Sequence, residues 1–255
     1  CFEDNNWRAL TTYDQASVMH YPQCNGISSW DLEITSKDTT GIQALYDDGG
    51  TTPPVGGDAT ISGEASVAQN EWRYYAVSVD SNSTFKATIS GSSGDADLYV
   101  RMGSKPTSSS YNCRPYLNGS NESCEVSTGS STTAYIGIKG YSAASYGLSA
   151  EFAGSGQVTE SGAVSKNEWS HLTVSPKANT TVSVNLDVQS GDSDLYVRKG
   201  AKPTTSSYDC RPYKGGTTDE SCSVNAGTSS TVWGSVVGYN STENAYSKSI
   251  TWTLP

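Results

Sequence analysis

The side chains best suited to hydrolytic chemistry are two histidines, His20 and His171, the only ones among the 255 residues. Neither lies in an H-E-x-x-H motif. Hydrolytic zinc needs that motif because two histidines on one helical face hold the metal while the glutamate activates its water. We therefore expect no zinc peptidase activity from this chain alone, with His20 structural and His171 half-exposed on a strand. No G-x-S-x-G elbow marks a serine nucleophile either.

Two pairs of carboxylates are the candidates for a metal site. Asp95 and Asp97 are two residues apart, and Asp192 and Asp194 repeat this spacing. Residues i and i+2 of a strand point to the same side, so each pair could chelate calcium together with nearby carbonyl groups. The alternative is that one aspartate caps the glycine turn and the other pairs with an arginine. The candidate arginines are Arg101 or Arg114 in the first pair and Arg198 or Arg211 in the second.

These carboxylates lie in a duplicated segment. The sequence SGDADLYVRMGSKPTSSSYNCRPY, which begins at Ser93, returns as SGDSDLYVRKGAKPTTSSYDCRPY at Ser190. A period of about a hundred residues is typical of a duplicated domain, since solenoid units are much shorter. Alternating apolar and polar residues between Gly, Ser, Asn and Pro clusters predict short strands. With 16 Tyr, 6 Trp and only 2 Met, the chain is predicted to be all-β, with two tandem β-sandwiches of jelly-roll type.

The six cysteines follow the duplication. Each copy is predicted to close its own loop, and the two remaining cysteines form the third pair. The predicted disulfides are Cys113–Cys124, Cys210–Cys222 and Cys1–Cys24. No C-x-x-C motif or Cys/His cluster favours zinc ligation instead. Oxidised disulfides predict a secreted, extracellular protein.

The charge of the chain disfavours two classes of partner. The formal net charge is −10 at pH 7, and the basic residues are few and scattered. We therefore expect binding neither to nucleic acid nor to anionic membranes. No run of 18 apolar residues predicts a membrane span.

The duplicated block, from GDADLYVR through SYNCRPY to ESC, resembles the bacterial pre-peptidase C-terminal domain, a β-sandwich module appended to secreted proteases. On this resemblance the two modules are predicted at residues 57–153 and 154–255, preceded by a linker at residues 49–56. The resemblance implies that a catalytic domain precedes the modules. It also implies substrate attachment, since in some collagenases a related sandwich binds the insoluble substrate.

A second resemblance concerns residues 1–48. SVMHY is similar to the Met-turn of metzincin zinc proteases, in whose astacin-like members a tyrosine two residues after the Met approaches the metal. DLEITSKDTTGIQALY is similar to the closing α-helix of the same domain. The resemblance places Met19 on the floor beneath the metal and Tyr21 facing the zinc. It implies a remnant of a catalytic domain, with zinc bound only in the intact parent and the missing catalytic half as a partner. An ordinary core methionine is the alternative.

Tyrosines around the disulfide loops are the candidates for polymer binding. Exposed aromatic rings offer flat, amphipathic platforms for a fibrous polypeptide or a polysaccharide. The candidates are Tyr116 and Tyr213, which follow a proline, and Tyr111 and Tyr208. Tyr99, Tyr196, Trp72 and Trp169 are expected to be buried or partly buried.

Together these patterns predict the C-terminal portion of a secreted bacterial zinc metalloprotease. Its two modules would bind an extracellular protein or polysaccharide polymer, aid secretion or stabilise the parent. The alternative is a structural or adhesive extracellular protein that assembles through the edges of its sandwiches.

Overall fold

The structure, a computed structural model, describes residues 59–240 and 243–255. Short segments rich in β-branched and aromatic residues form fourteen strands in these ranges, and buried and exposed side chains alternate along them. The first repeat contains β1 (Ala59–Val67), β2 (Trp72–Val79), β3 (Thr84–Ser93), β4 (Ala96–Met102), β5 (Glu122–Ser127), β6 (Thr132–Gly140) and β7 (Ala144–Phe152). The second contains β8 (Gln157–Val164), β9 (Trp169–Val174), β10 (Thr181–Val188), β11 (Ser193–Lys199), β12 (Glu220–Asn225), β13 (Val232–Gly238) and β14 (Asn244–Thr251). The described residues contain no helix, and the all-β prediction is confirmed.

The strands form two antiparallel sheets that pack face to face as a sandwich. One sheet has the order β11-β13-β9-β1-β7-β3-β5, and the other has the order β12-β10-β14-β8-β2-β6-β4. In a strand, successive side chains point to opposite faces, so every second residue enters the core between the sheets. Fully buried core residues include Ile61, Phe85, Ile136, Leu172 and Ile250.

The two repeats are joined edge to edge. Strand β1 pairs with β9 from Ile61↔Val174 to Glu64↔His171, and β2 pairs with β8 from Tyr74↔Ser161 to Val77↔Val158. Because β1 and β2 of the first repeat correspond to β8 and β9 of the second, the two joins are equivalent. Each sheet therefore runs through both repeats, and residues 56–255 form one compact unit.

A buried charged cluster crosses one of these joins. Nη1 of Arg73, on β2, lies 2.9 Å from Oε1 of Glu160 on β8, and Nζ of Lys248, on β14, lies 2.7 Å from Oε2 of the same carboxylate. The hydroxyl of Tyr246 donates a hydrogen bond to Oε1 at 2.7 Å. Burial disfavours the charged carboxylate, but the positive charges of Lys248 and Arg73 prevail and lower the pKa of Glu160 to about 2. We call Arg73, Glu160 and Lys248 the buried triad.

Several predictions lie outside the described residues. They are the Met-turn with Met19 and Tyr21, the α-helix within residues 1–48, the Cys1–Cys24 bond and the linker at residues 49–56. Among the described residues, no helix is long and apolar enough to span a membrane.

Candidate functional site

The disulfide loop of each repeat folds back onto the strand that precedes it. In the first repeat the backbone of Val100 on β4 exchanges hydrogen bonds with that of Cys113, at 2.9 and 3.1 Å. Cys113 is bonded to Cys124 on β5, so the loop is tied to both strands. The second repeat has the same backbone pair, Val197 with Cys210, and the Cys210–Cys222 bond. Both predicted short-range disulfides are present, and they give the loops a fixed position.

An arginine in each loop is held between two tyrosine rings and an aspartate. Nη2 of Arg114 lies 3.2 Å from Oδ2 of Asp97, and its guanidinium carbon lies 4.8 Å from the ring centroid of Tyr99 and 3.8 Å from that of Tyr116. In the second repeat Arg211 lies 2.8 Å from Asp194, 4.7 Å from the Tyr196 ring and 3.9 Å from the Tyr213 ring. Tyr99 and Tyr196 are buried as expected, and burial raises the pKa of Tyr99 to about 12.

Tyr116 and Tyr213 adopt an unusual backbone conformation. Tyr116 has φ 58° and Tyr213 has φ 60°, while 65% and 66% of their surfaces are exposed. A bulky L-residue in the left-handed region costs about 1–3 kcal/mol and persists only where its surroundings impose it. Such strained residues cluster at functional sites. The predicted contact tyrosines are therefore exposed rings in fixed, strained positions.

A buried glutamate holds the residue that follows each strained tyrosine. Glu122 on β5 accepts hydrogen bonds from the backbone N–H groups of Leu117 and Leu98, both at 2.6 Å. Glu220 does the same for Lys214 and Leu195. Burial raises the pKa of both carboxyl groups. The sequence analysis did not single these glutamates out, although both occur in the repeated E-S-C.

Each repeat has a second exposed tyrosine next to its first aspartate, and the sequence analysis did not single it out. The backbone N–H of Tyr141 donates to the carbonyl of Asp95 at 2.9 Å, and that of Tyr239 donates to the carbonyl of Asp192 at 2.8 Å. These rings are 64% and 61% exposed. The repeated G-Y after β6 and β13 was the available signal.

The other two predicted contact tyrosines are less accessible. Tyr111 and Tyr208 are 45% and 44% exposed, and their rings pack edge-on against Tyr99 and Tyr196 at 5.8 and 5.5 Å. Trp72 and Trp169 are partly buried against the same two rings, at 4.8 and 5.1 Å. Tyr116 and Tyr213 therefore offer most of the accessible aromatic surface of the predicted set.

The carboxylates favour the arginine alternative over a metal site. Asp97 and Asp194 each form an ion pair with the loop arginine. Within the described residues, no group of three or more His, Cys, Asp or Glu side chains is placed to hold a metal ion. Calcium binding by Asp95, Asp97, Asp192 and Asp194 stays a prediction.

His171 lies on the outer face of β9. Its Nδ1 is 2.8 Å from Oγ of Ser235, and its ring stacks on Trp169 at 5.3 Å. Burial, reinforced by the charges of Lys202 and Lys248, lowers the pKa of His171 to about 4. Because Ser235 is fully buried, this pair offers no accessible nucleophile. His171 is therefore a neutral, structural side chain near neutral pH.

Comparison with known proteins identifies a domain family in this chain and several similar proteases. The profile of the bacterial pre-peptidase C-terminal domain matches residues 73–140 and 172–234, about half of the chain. The neutral protease of Vibrio proteolyticus is 38% identical over 142 residues, which are 53% of this chain and 23% of that protein. The zinc metalloprotease of Helicobacter pylori is 35% identical over 142 residues, 53% of this chain and 54% of that protein.

One solved structure, a solution structure of vEP C-ter 100, is 46% identical to the part of this chain that it matches. It covers 37% of this chain and 92% of its own, with a TM-score of 0.31. The chain spans about a quarter of the length of the Vibrio protease and about half of the Helicobacter protein.

Proposed function

Since this chain belongs to the bacterial pre-peptidase C-terminal domain family, we propose that residues 56–255 attach a secreted protease to an insoluble extracellular polymer. The parent would be a zinc peptidase, as the name of the Helicobacter relative suggests; the Vibrio relative is named as a protease. Zinc would be held by the catalytic domain of that parent, beside Met19 and Tyr21.

The observation that carries this proposal is the strained, exposed tyrosine found twice. A backbone strain of about 1–3 kcal/mol at both Tyr116 and Tyr213 is offset by contacts of the surrounding loop. It holds each ring outward and rigid, with Arg114 or Arg211 packed behind it. A rigid aromatic ring loses little conformational entropy on binding, which favours affinity for a flat polymer surface.

The placement of the two sites favours a repetitive ligand. The first site lies beside β4 and the second beside β11, which are edge strands at opposite ends of the sandwich and in different sheets. Two weak sites on one compact unit raise the overall affinity for a polymer that reaches both. A small soluble ligand would gain nothing from this arrangement.

Co-sedimentation with insoluble polymers tests the proposal. The full chain is mixed with collagen fibres or with chitin, and the bound fraction is measured against the paired substitution Tyr116→Asn and Tyr213→Asn. Asparagine tolerates positive φ, as it does at Asn70 and Asn167 in this protein. The fold should therefore persist while the rings are lost.

The matched control is the paired substitution Tyr116→Phe and Tyr213→Phe, which keeps the rings. We expect the phenylalanine pair to bind as the wild type does and the asparagine pair to lose most of its binding. Equal binding by all three proteins, or no binding of the wild type to any polymer, would refute the proposed function.

The alternative function, assembly through sheet edges, has less support. Two of the four edge strands, β4 and β11, are hydrogen-bonded to their own disulfide loops, which leaves β5 and β12 as the edges for strand addition within the described residues. Concentration-dependent oligomers in light scattering would favour assembly, and a strict monomer would disfavour it.

A further inference from the structure

A cavity of about 240 Å³ lies between the two exposed tyrosines of the second repeat. Tyr213 and Tyr239 form its walls together with Asp192, Asp194 and the Lys214–Gly215 segment. We propose that this cavity binds the positively charged side chain of a lysine or arginine in a polypeptide. The inference rests on the proposed function and names the chemistry that the polymer would present.

The charge of the cavity supports a cation. The carboxylate of Asp194 is already paired with Arg211. The ammonium group of Lys214, which also lines the cavity, donates a hydrogen bond to the carbonyl oxygen of Asp219 at 2.9 Å. Within the described residues, Asp192 has no ion-pair partner, and its Oδ1 is shielded from solvent without any hydrogen bond. Asp192 is therefore the lining carboxylate without an ion-pair partner, and its charge is the one that a ligand cation would meet.

Asp192 is also fixed in position. Its backbone N–H donates to Oδ1 of Asn244 at 2.7 Å, and its carbonyl accepts from the N–H of Tyr239. A buried carboxylate oxygen without a donor is costly, and native proteins rarely leave one unexplained. Because the Oδ1 atom is closed to solvent, a ligand in the cavity would interact with the charge of the Asp192 carboxylate and not with that atom directly.

The aromatic walls favour an organic cation over a metal. Tyr213 already holds a guanidinium against one face at 3.9 Å, and aromatic faces attract cations by their quadrupole. Calcium would need six to eight oxygen ligands, whereas the described residues place no third acidic side chain in position for a metal. An ammonium or guanidinium group uses both features, the carboxylate and the rings.

The first repeat contains the same elements. Oδ1 of Asp95 is buried without a hydrogen bond, and Tyr141 donates its backbone N–H to the Asp95 carbonyl. Tyr116 takes the place of Tyr213, and the exposed Leu117 replaces Lys214. The same unpaired carboxylate oxygen thus occurs in both repeats, as the duplicated sequence predicts.

The test is a binding titration of the full chain with poly-L-lysine, using isothermal calorimetry at physiological salt. The variant carries Asp95→Asn and Asp192→Asn, which keep the side-chain shape and remove the charge. The control carries Glu125→Gln and Asp187→Asn, two exposed carboxylates whose loss changes the net charge equally. Fully acetylated poly-L-lysine and chitosan are titrated as well.

We expect the Asp95/Asp192 variant to bind poly-L-lysine about tenfold more weakly, since one charge-assisted contact is lost at each site. The control should bind within about twofold of the wild type, and acetylation should abolish binding. An equal loss in the control variant would show unspecific attraction and overturn the inference. Tighter binding of chitosan would overturn the choice of a polypeptide, and calcium competition that requires Asp192 would show a metal site instead.

Co-sedimentation of the same variants separates this inference from the proposed function. If the Asp95/Asp192 variant pellets with collagen or chitin as the wild type does while the Tyr116/Tyr213 asparagine pair does not, polymer attachment stands and the cation site falls. If the wild type pellets with no polymer, the proposed function falls, and poly-L-lysine titration alone decides the cation site.

Discussion

Removing the charge of Glu160 should destabilise the whole sandwich. Glu160→Gln keeps the shape of the side chain but leaves Arg73 and Lys248 as buried cations without a counter-charge. The side chains of Glu160 and Lys248 are 0% exposed and that of Arg73 is 3% exposed, so water cannot compensate. Removing one partner of such a buried pair costs about 3–5 kcal/mol.

The pKa of Glu160 gives a consistent magnitude. A pKa of about 2, against 4.5 for the free side chain, corresponds to roughly 3 kcal/mol of folding free energy. Because the folded-state pKa is depressed, this stability is present above about pH 4.5 and is lost as the pH falls toward 2. The Gln variant lacks the titrating group, so its deficit relative to the wild type should shrink in that window.

Differential scanning calorimetry of the full chain at pH 7 measures the effect. For a domain of about 200 residues, a loss of 3–5 kcal/mol lowers the Tm by roughly 6–20 °C. The matched control is Glu64→Gln, which removes an exposed ion pair with Lys202 near the other join. Exposed pairs contribute at most about 1 kcal/mol, so the control Tm should change little.

The comparison can refute the reasoning directly. Equal Tm values for the Glu160 and Glu64 variants would mean that the triad is not buried at the join. A Glu160 deficit that stays constant from pH 5 to pH 2 would contradict the depressed pKa. Partial recovery of the Tm by adding Lys248→Met would support uncompensated burial as the cause.

Three further outcomes follow from the fold. Replacing Cys210 and Cys222 by serine should lower the free energy of unfolding, measured in urea, by about 3 kcal/mol, because the disulfide no longer restricts the unfolded chain. An unchanged urea midpoint would contradict the tie between loop and strand. His171→Gln should reduce the fall in the free energy of unfolding between pH 6.5 and pH 4, because the unfolded chain binds a proton at His171 at higher pH than the folded chain does. Parallel plots of unfolding free energy against pH for variant and wild type would contradict this. Residues 56–255 should unfold in one calorimetric transition, because both sheets run through both repeats; two separate transitions would contradict the shared sheets.

Local patterns in the sequence predicted much of the fold and part of the site. The alternation in RYYAVSV and TTVSVNLDV predicted strands because a half-buried strand has a period of two. The duplicated cysteines predicted both loop disulfides because equivalent loops close in the same way. Tyr116 and Tyr213 were found as contact candidates because each follows a proline in an exposed loop.

The features missed from the sequence depend on distant partners. The joins between β1 and β9 and between β2 and β8 require edges that only the folded repeats present. The buried triad is hidden because it occurs once: in the duplication, Gly63, Ser170 and Leu148 correspond to Glu160, Arg73 and Lys248. The glutamates Glu122 and Glu220 act through backbone N–H groups, for which the side-chain pattern gives no direct signal.

The most direct test of the account is the bound fraction of the full chain on collagen fibres and on chitin, measured for the wild type and for the Tyr116/Tyr213 asparagine pair. The account predicts that the wild type pellets with one of these polymers and that the variant, with an unchanged Tm or a higher one, stays largely in solution. Wild-type protein that remains in solution with both polymers, or a variant that pellets equally well, would contradict polymer attachment through the paired tyrosines.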